Sequence, residues 1–125
     1  MRVVRFSELP KESMGEATPV PGWTRGPVTR TRQTIIRDGE SDNYRCNVVN
    51  FSEGATTGWH AHSCDQILVV TSGRGVVATD NEEREITVGD VILIKAGERH
   101  WHGAMADTTM GHITVTVVGS HSTRG

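Results

Sequence analysis

Apolar and polar residues alternate along this chain in short runs separated by turn residues. The clearest run, 112–117, reads His, Ile, Thr, Val, Thr, Val. It separates His112, Thr114 and Thr116 from Ile113, Val115 and Val117. If His112 faces an interior, the two threonines line a cavity and the apolar set faces another layer. Tyr44 to Ser52, Asp65 to Thr71 and Val76 to Thr79 also read as strands. Between the last two, Ser72-Gly73-Arg74-Gly75 predicts a turn, and Asp80-Asn81 predicts the next. Glu82 to Thr87 is mostly charged, which suits an exposed strand. Val88-Gly89-Asp90 turns into Val91 to Ile94, and Lys95-Ala96-Gly97-Glu98 ends that run. Short strands with frequent turn signals predict an all-β sandwich or barrel.

The two ends are less regular. Residues 1–22 hold Pro10, Pro19 and Pro21 with little periodicity, and predict a loose arm or an edge strand. The barrel is expected over 23–118. Residues 119–125 are polar and predict a flexible tail, with a disordered His121 inside it.

Composition supports the β reading. Fifteen Val, fifteen Thr and seven Ile stand against three Leu. Branching at Cβ costs side-chain freedom in a helix and suits a pleated surface, so a helical bundle is excluded. A chain of 125 residues makes one domain, since halves would hold little core. A net charge of −2 and a pI near 6.3 exclude a general nucleic-acid binder. No apolar run is long enough to span a membrane as a helix. Arg25, Arg30, Arg32 and Arg37 form a basic stretch, read as a solvated face or a binding patch. The start, Met1 to Arg5, lacks the apolar core of a signal peptide. Cys46 and Cys64 form no C-x-x-C pair. Together these features predict a cytoplasmic protein with two free thiols, a Cys46–Cys64 disulfide being the alternative.

Histidine is the unusual residue. Five of the six lie between His60 and His112. His60 and His62 are two apart, so on a strand both imidazoles point to one face and can share one metal ion. His100 and His102 repeat that spacing. Trp23, Trp59 and Trp101 read as packing residues rather than stacking platforms. Cys64 falls between His62 and Gln66, as a loop thiol.

The segment GATTGWHAHSCDQILVVTSG fits the spacing G-x5-H-x-H-x3-E-x6-G through Gly54, His60, His62 and Gly73, with Gln66 in place of Glu. GDVILIKAGERHWHGA approaches G-x5-P-x-G-x2-H-x3-N through Gly89, Gly97 and His100. Lys95 replaces the Pro there and Ala104 the Asn. These motifs resemble the two signatures of the cupin superfamily. The stretch AGERHWHGAMADTTMGHITV is similar to a subgroup of small single-domain bacterial cupins. That subgroup includes proteins grouped with carboxymuconolactone decarboxylases and the manganese-dependent hydroxynitrile lyases.

The resemblance implies a jelly-roll-like β-barrel of two antiparallel sheets, and a homodimer. It implies His60, His62, Gln66 and His100 as metal ligands. Three imidazoles suit a divalent transition metal: Mn, Fe, Ni, Co or Zn, with Mn favoured by the subgroup. Gln66 either ligates through its amide oxygen or only hydrogen-bonds in the barrel. If it ligates, the site is neutral, and the ion keeps its full charge and favours anions. The implied function is metal-dependent chemistry on a small-molecule substrate, of lyase, decarboxylase-like or isomerase type. Cyanohydrin cleavage is the specific case. His102 or His112 would then move the proton, or would only hydrogen-bond beside the site, and Asn47 would line the pocket. The alternatives are an Fe(II) dioxygenase and a non-catalytic ligand-binding or sensor cupin.

Overall fold

The computed structural model describes residues 1–125. The chain opens with a short 3-10 turn, Phe6–Glu8. The first strands are β1 (Glu12–Glu16), β2 (Thr18–Pro19), β3 (Thr29–Thr34), β4 (Tyr44–Phe51), β5 (Ala55–Thr56) and β6 (His60–His62). Then follow β7 (Gln66–Thr79), β8 (Glu83–Thr87), β9 (Val91–Ile94), β10 (His100–Ala104), β11 (Met110–Val117) and β12 (Ser122–Arg124).

All pairings are antiparallel, and they make two sheets of a nearly closed barrel, as expected of a jelly roll. One sheet runs β1-β3-β4-β11-β7, with β9 beyond β7. The other places β10 between β7 and the short strands β5 and β6. Strand β8 covers the far side of β7, and β12 lies beyond β6.

β7 belongs to both sheets. Ile67 to Gly73 pairs with β11, and Gly75 to Thr79 pairs with β10. The predicted turn at Ser72-Gly73-Arg74-Gly75 is therefore absent, and the two predicted strands are one strand of 14 residues. Glycine there has another use. Gly73 takes φ +67°, and a Cβ at that position would sit 1.8 Å from the Thr109 carbonyl oxygen. A register shift against β11 falls between Gly111 and His112. The strand bends across the barrel at this bulge instead of reversing.

The N-terminal segment supplies an edge strand, since β1 pairs with β3. The Gln33 amide ties the preceding turn down by donating to the carbonyls of Phe6 and Leu9. The C-terminal stretch is a second departure from expectation. Ser122, Thr123 and Arg124 pair with His62, Ala61 and His60, and His121 exchanges hydrogen bonds with Ser63. Backbone pairing to an open strand edge orders a segment with no apolar pattern of its own.

Val28, Val49, Phe51, Ala55, Val70, Ile86, Ala104 and Met110 form the buried core cluster. Ala104, at the departure from the second motif, is fully buried in it. Trp23 packs against this cluster and over Gly54, where a Cβ would lie 2.3 Å from its ring. Trp101 is buried, and Trp59 carries the Arg99 guanidinium over its face. Ile113, Val115 and Val117 face outward; Ile113 and Val115 are half-buried, Val117 is exposed, and Val48, paired with Ile113, is fully buried. Both cysteines are free thiols. No helix is long and apolar enough to cross a membrane.

Candidate metal centre and histidine pair

Three strands bring the histidines together. His60 and His62 come from β6, and His100 pairs directly with His60 from β10. Their candidate ligand nitrogens all lie within 4.8 Å of one another. His60 Nδ1 lies 2.9 Å from the Gly58 carbonyl oxygen, and His100 Nδ1 lies 2.8 Å from that of Glu98. A carbonyl only accepts, so each Nδ1 carries the proton and each Nε2 presents a lone pair. His62 Nε2 is buried without any partner.

Gln66 lies at the start of β7, buried beside them. Its Nε2 donates to Thr114 Oγ1 at 2.9 Å, which turns the amide oxygen toward His100. That oxygen lies 3.2 Å from His100 Nε2. With the proton on Nδ1, this contact sets two acceptors face to face. A cation between them would relieve it, and three imidazole lone pairs with one amide oxygen are a fitting donor set for a divalent transition metal.

Electrostatics favours the neutral, ligating forms. Burial first, and then the neighbouring imidazoles, push the His60 pKa down to about 4. His62 and His100 are lowered in the same direction, burial again being the largest cause.

A second pair sits beside the cluster. His102, on β10, and His112, on β11, are both buried, with His112 Nε2 3.0 Å from His102 Nδ1. Each ring keeps one buried nitrogen without a partner, Nε2 in His102 and Nδ1 in His112. The His102 ring stacks at 11° on that of His100, with centroids 5.7 Å apart. Phe51 closes the other side, 6.0 Å from His102 and 5.4 Å from His112 between ring centroids. Burial holds His112 down at about 4 and His102 well below the usual histidine range, with His112 adding to the latter effect.

His60, His62, Gln66, His102 and His112 line a cavity of about 210 Å³, with Thr114 on its wall and His100 behind it. Thr116 is not part of that wall. Asn47 faces Thr114 across the β4–β11 ladder but lines a neighbouring depression with Arg32, Thr34 and Arg45. The expected role for Asn47 in this pocket is therefore not met: the wall reaches its pair partner Thr114 and does not include Asn47. Sequence reasoning missed Thr57, Arg124 and the inward placing of Arg30, all on the cavity wall. For Arg30 the spacing gave no signal, since Arg30 and Arg32 are two apart on β3 and share a face, yet Arg32 is exposed and pairs with Glu12. Lys95, in the Pro position of the second motif, pairs with Asp65 at 3.0 Å, and Asp65 also accepts from the Ala96 amide. The departure thus replaces a rigid turn residue with an ion pair to the β6–β7 loop.

Three comparisons bear on this arrangement. The model of the Cupin domain family matches residues 47–121. An (R)-mandelonitrile lyase of Granulicella tundricola is 43% identical over 68 residues, which are 54% of this chain. The chain spans about half the length of that curated relative, 52%. A cupin-like protein of Thermotoga maritima superposes with a TM-score of 0.69 at 26% identity, over 83% of this chain and 84% of that one. The polyketide cyclase RemF of Streptomyces resistomycificus gives 0.76 at 17% identity, over 97% and 84%, a likeness of fold alone.

Proposed function

The chain belongs to the cupin family, and on that premise we propose that it is a metal-dependent enzyme acting on a small hydroxy or carbonyl compound. Its lyase chemistry is best tested first on a cyanohydrin. The observation that carries this reading is the buried, neutral pair His102–His112 stacked beside the His60–His62–His100 cluster. The similarity to an (R)-mandelonitrile lyase supports the choice of substrate.

In this reading His60, His62, His100 and the Gln66 carbonyl hold one divalent ion, with manganese the first to try among Mn, Fe, Ni, Co and Zn. The ion would supply Lewis acidity toward the substrate oxygen. His102 and His112 are the proposed proton-transfer residues. His102 Nε2, the unpartnered atom, takes the hydroxyl proton and returns it to the leaving group. His112 backs that ring through the 3.0 Å bond and fixes its orientation. Phe51 keeps water from the pair. A second copy of this chain is the proposed cover for the exposed apolar residues Ile67, Val91, Leu93 and Val117.

The test is elemental analysis joined to turnover. The expected result is close to one transition-metal ion per chain, and metal-dependent release of benzaldehyde and cyanide from mandelonitrile. No release from manganese-loaded protein would overturn the lyase reading. Oxygen uptake with catechol-like substrates would replace it with the dioxygenase.

A further inference from the structure

Two arginines reach the histidine cavity, one from each sheet. Arg30 lies on β3 opposite Phe51, whose ring packs on His102 and His112. Arg124 lies on β12 opposite His60. Both line the cavity, and no aspartate or glutamate does.

Their partners are incomplete. Arg124 Nη1 donates to the Thr57 carbonyl, whereas Arg30 Nε is buried with no partner at all. Neither arginine belongs to an ion pair, although Arg25, Arg32 and Arg37 of the same basic stretch all do. Burial lowers the Arg30 pKa, and the charge of Arg124 lowers it further. Arg124 is exposed, so the cost falls on the half-buried Arg30, whose guanidinium has no anionic partner, and a bound anion would return it. Guanidinium matches a carboxylate through paired N–H donors. At about 210 Å³ the space is below the usual range for drug-sized ligands, roughly 300–1,000 Å³, so the ligand is small.

We propose that Arg30 and Arg124 form a subsite for the carboxylate of a small hydroxy or oxo acid, whose other oxygen faces the histidine cluster. This names the charge of the substrate for the function proposed above, and it rests on that reading for the placing of the second oxygen. The arginine subsite itself does not need the ion, so the two can fail separately.

The probes are mandelate and its neutral counterpart mandelamide, titrated calorimetrically into metal-free and manganese-loaded protein. Mandelate is expected to bind both forms at least about tenfold tighter than mandelamide. Arg30→Gln and Arg124→Gln should each weaken mandelate by about tenfold or more and leave mandelamide unchanged. Arg30→Lys, which keeps the charge, should retain part of the preference and guards against a folding defect. Equal affinities for the two compounds in the wild type would overturn the proposal. So would mandelate binding that survives the double Arg-to-Gln change. If manganese fails to bind while metal-free protein still prefers mandelate, the metal reading falls and the subsite stands.

Discussion

His112 Nε2 lies 3.0 Å from His102 Nδ1, and each ring has its remaining nitrogen buried without a partner. Two neutral imidazoles in this geometry hold one proton between them, so His112 controls which nitrogen of His102 is free. His112→Ala should therefore lower kcat by about 100-fold or more, in the range of positioned acid–base groups. Metal content should not change. His112→Gln, which keeps a hydrogen-bonding group near Nδ1, should recover part of the rate and move the pH profile of kcat. Equal rates and pH profiles in wild type and His112→Ala would remove His112 from the proton path.

Acid should destabilise the metal-free protein. Burial holds folded His112 near a pKa of about 4, against 6.5 when unperturbed. Between these values the unfolded chain binds a proton that the folded one refuses, so stability falls as pH falls through that window. His112 alone costs on the order of 3 kcal/mol across it. His60, also near 4, and the lowered His62, His100 and His102 act in the same direction. Above pH 6.5 the neutral forms prevail in both states and this loss vanishes. Urea midpoints measured from pH 7 to pH 4.5 should drop, and drop less in His112→Gln. A flat profile would show these rings to be solvated.

Gln66 separates a metal ligand from a barrel hydrogen bond. Its oxygen lies 3.2 Å from His100 Nε2 because its amide nitrogen is held by Thr114. Gln66→Glu puts a negative charge among neutral donors and should tighten divalent metal binding by at least about tenfold. Gln66→Leu should weaken it by a similar factor. Competition against a chelator reads both. Unchanged affinity in Gln66→Leu would assign the residue to the barrel alone.

Local spacing explains what was legible in the chain. His60 with His62, and His100 with His102, declare a shared face because strand side chains repeat every two residues. The outward Ile113, Val115 and Val117 follow from the same period. Ser72 to Gly75 misled because glycine serves both a tight turn and a close backbone approach, and here Gly73 is in register with Met110 and packed against the Thr109 carbonyl. Arg124 was not legible. It enters the site through pairing of β12 with β6, a contact between distant segments that leaves no local pattern.

The outer face of the larger sheet carries its own prediction. Ile67 pairs with Leu93 and Val115, and Val69 with Val91 and Ile113, which joins these residues into one apolar surface. Leu93 is 60% exposed and Val91 66%. An uncovered block of this kind marks an association surface, and β9 at the sheet edge offers unpaired backbone beside it. Light scattering should therefore give the wild type twice the 13.6 kDa chain mass. Leu93→Glu should return it to a single chain, since it sets a charge where the two copies would meet. Neighbouring Ile92 and Ile94 point to the cavity side of β9 and Leu93 does not, so metal content should survive the change. A wild type that scatters as one chain would assign this face to another partner.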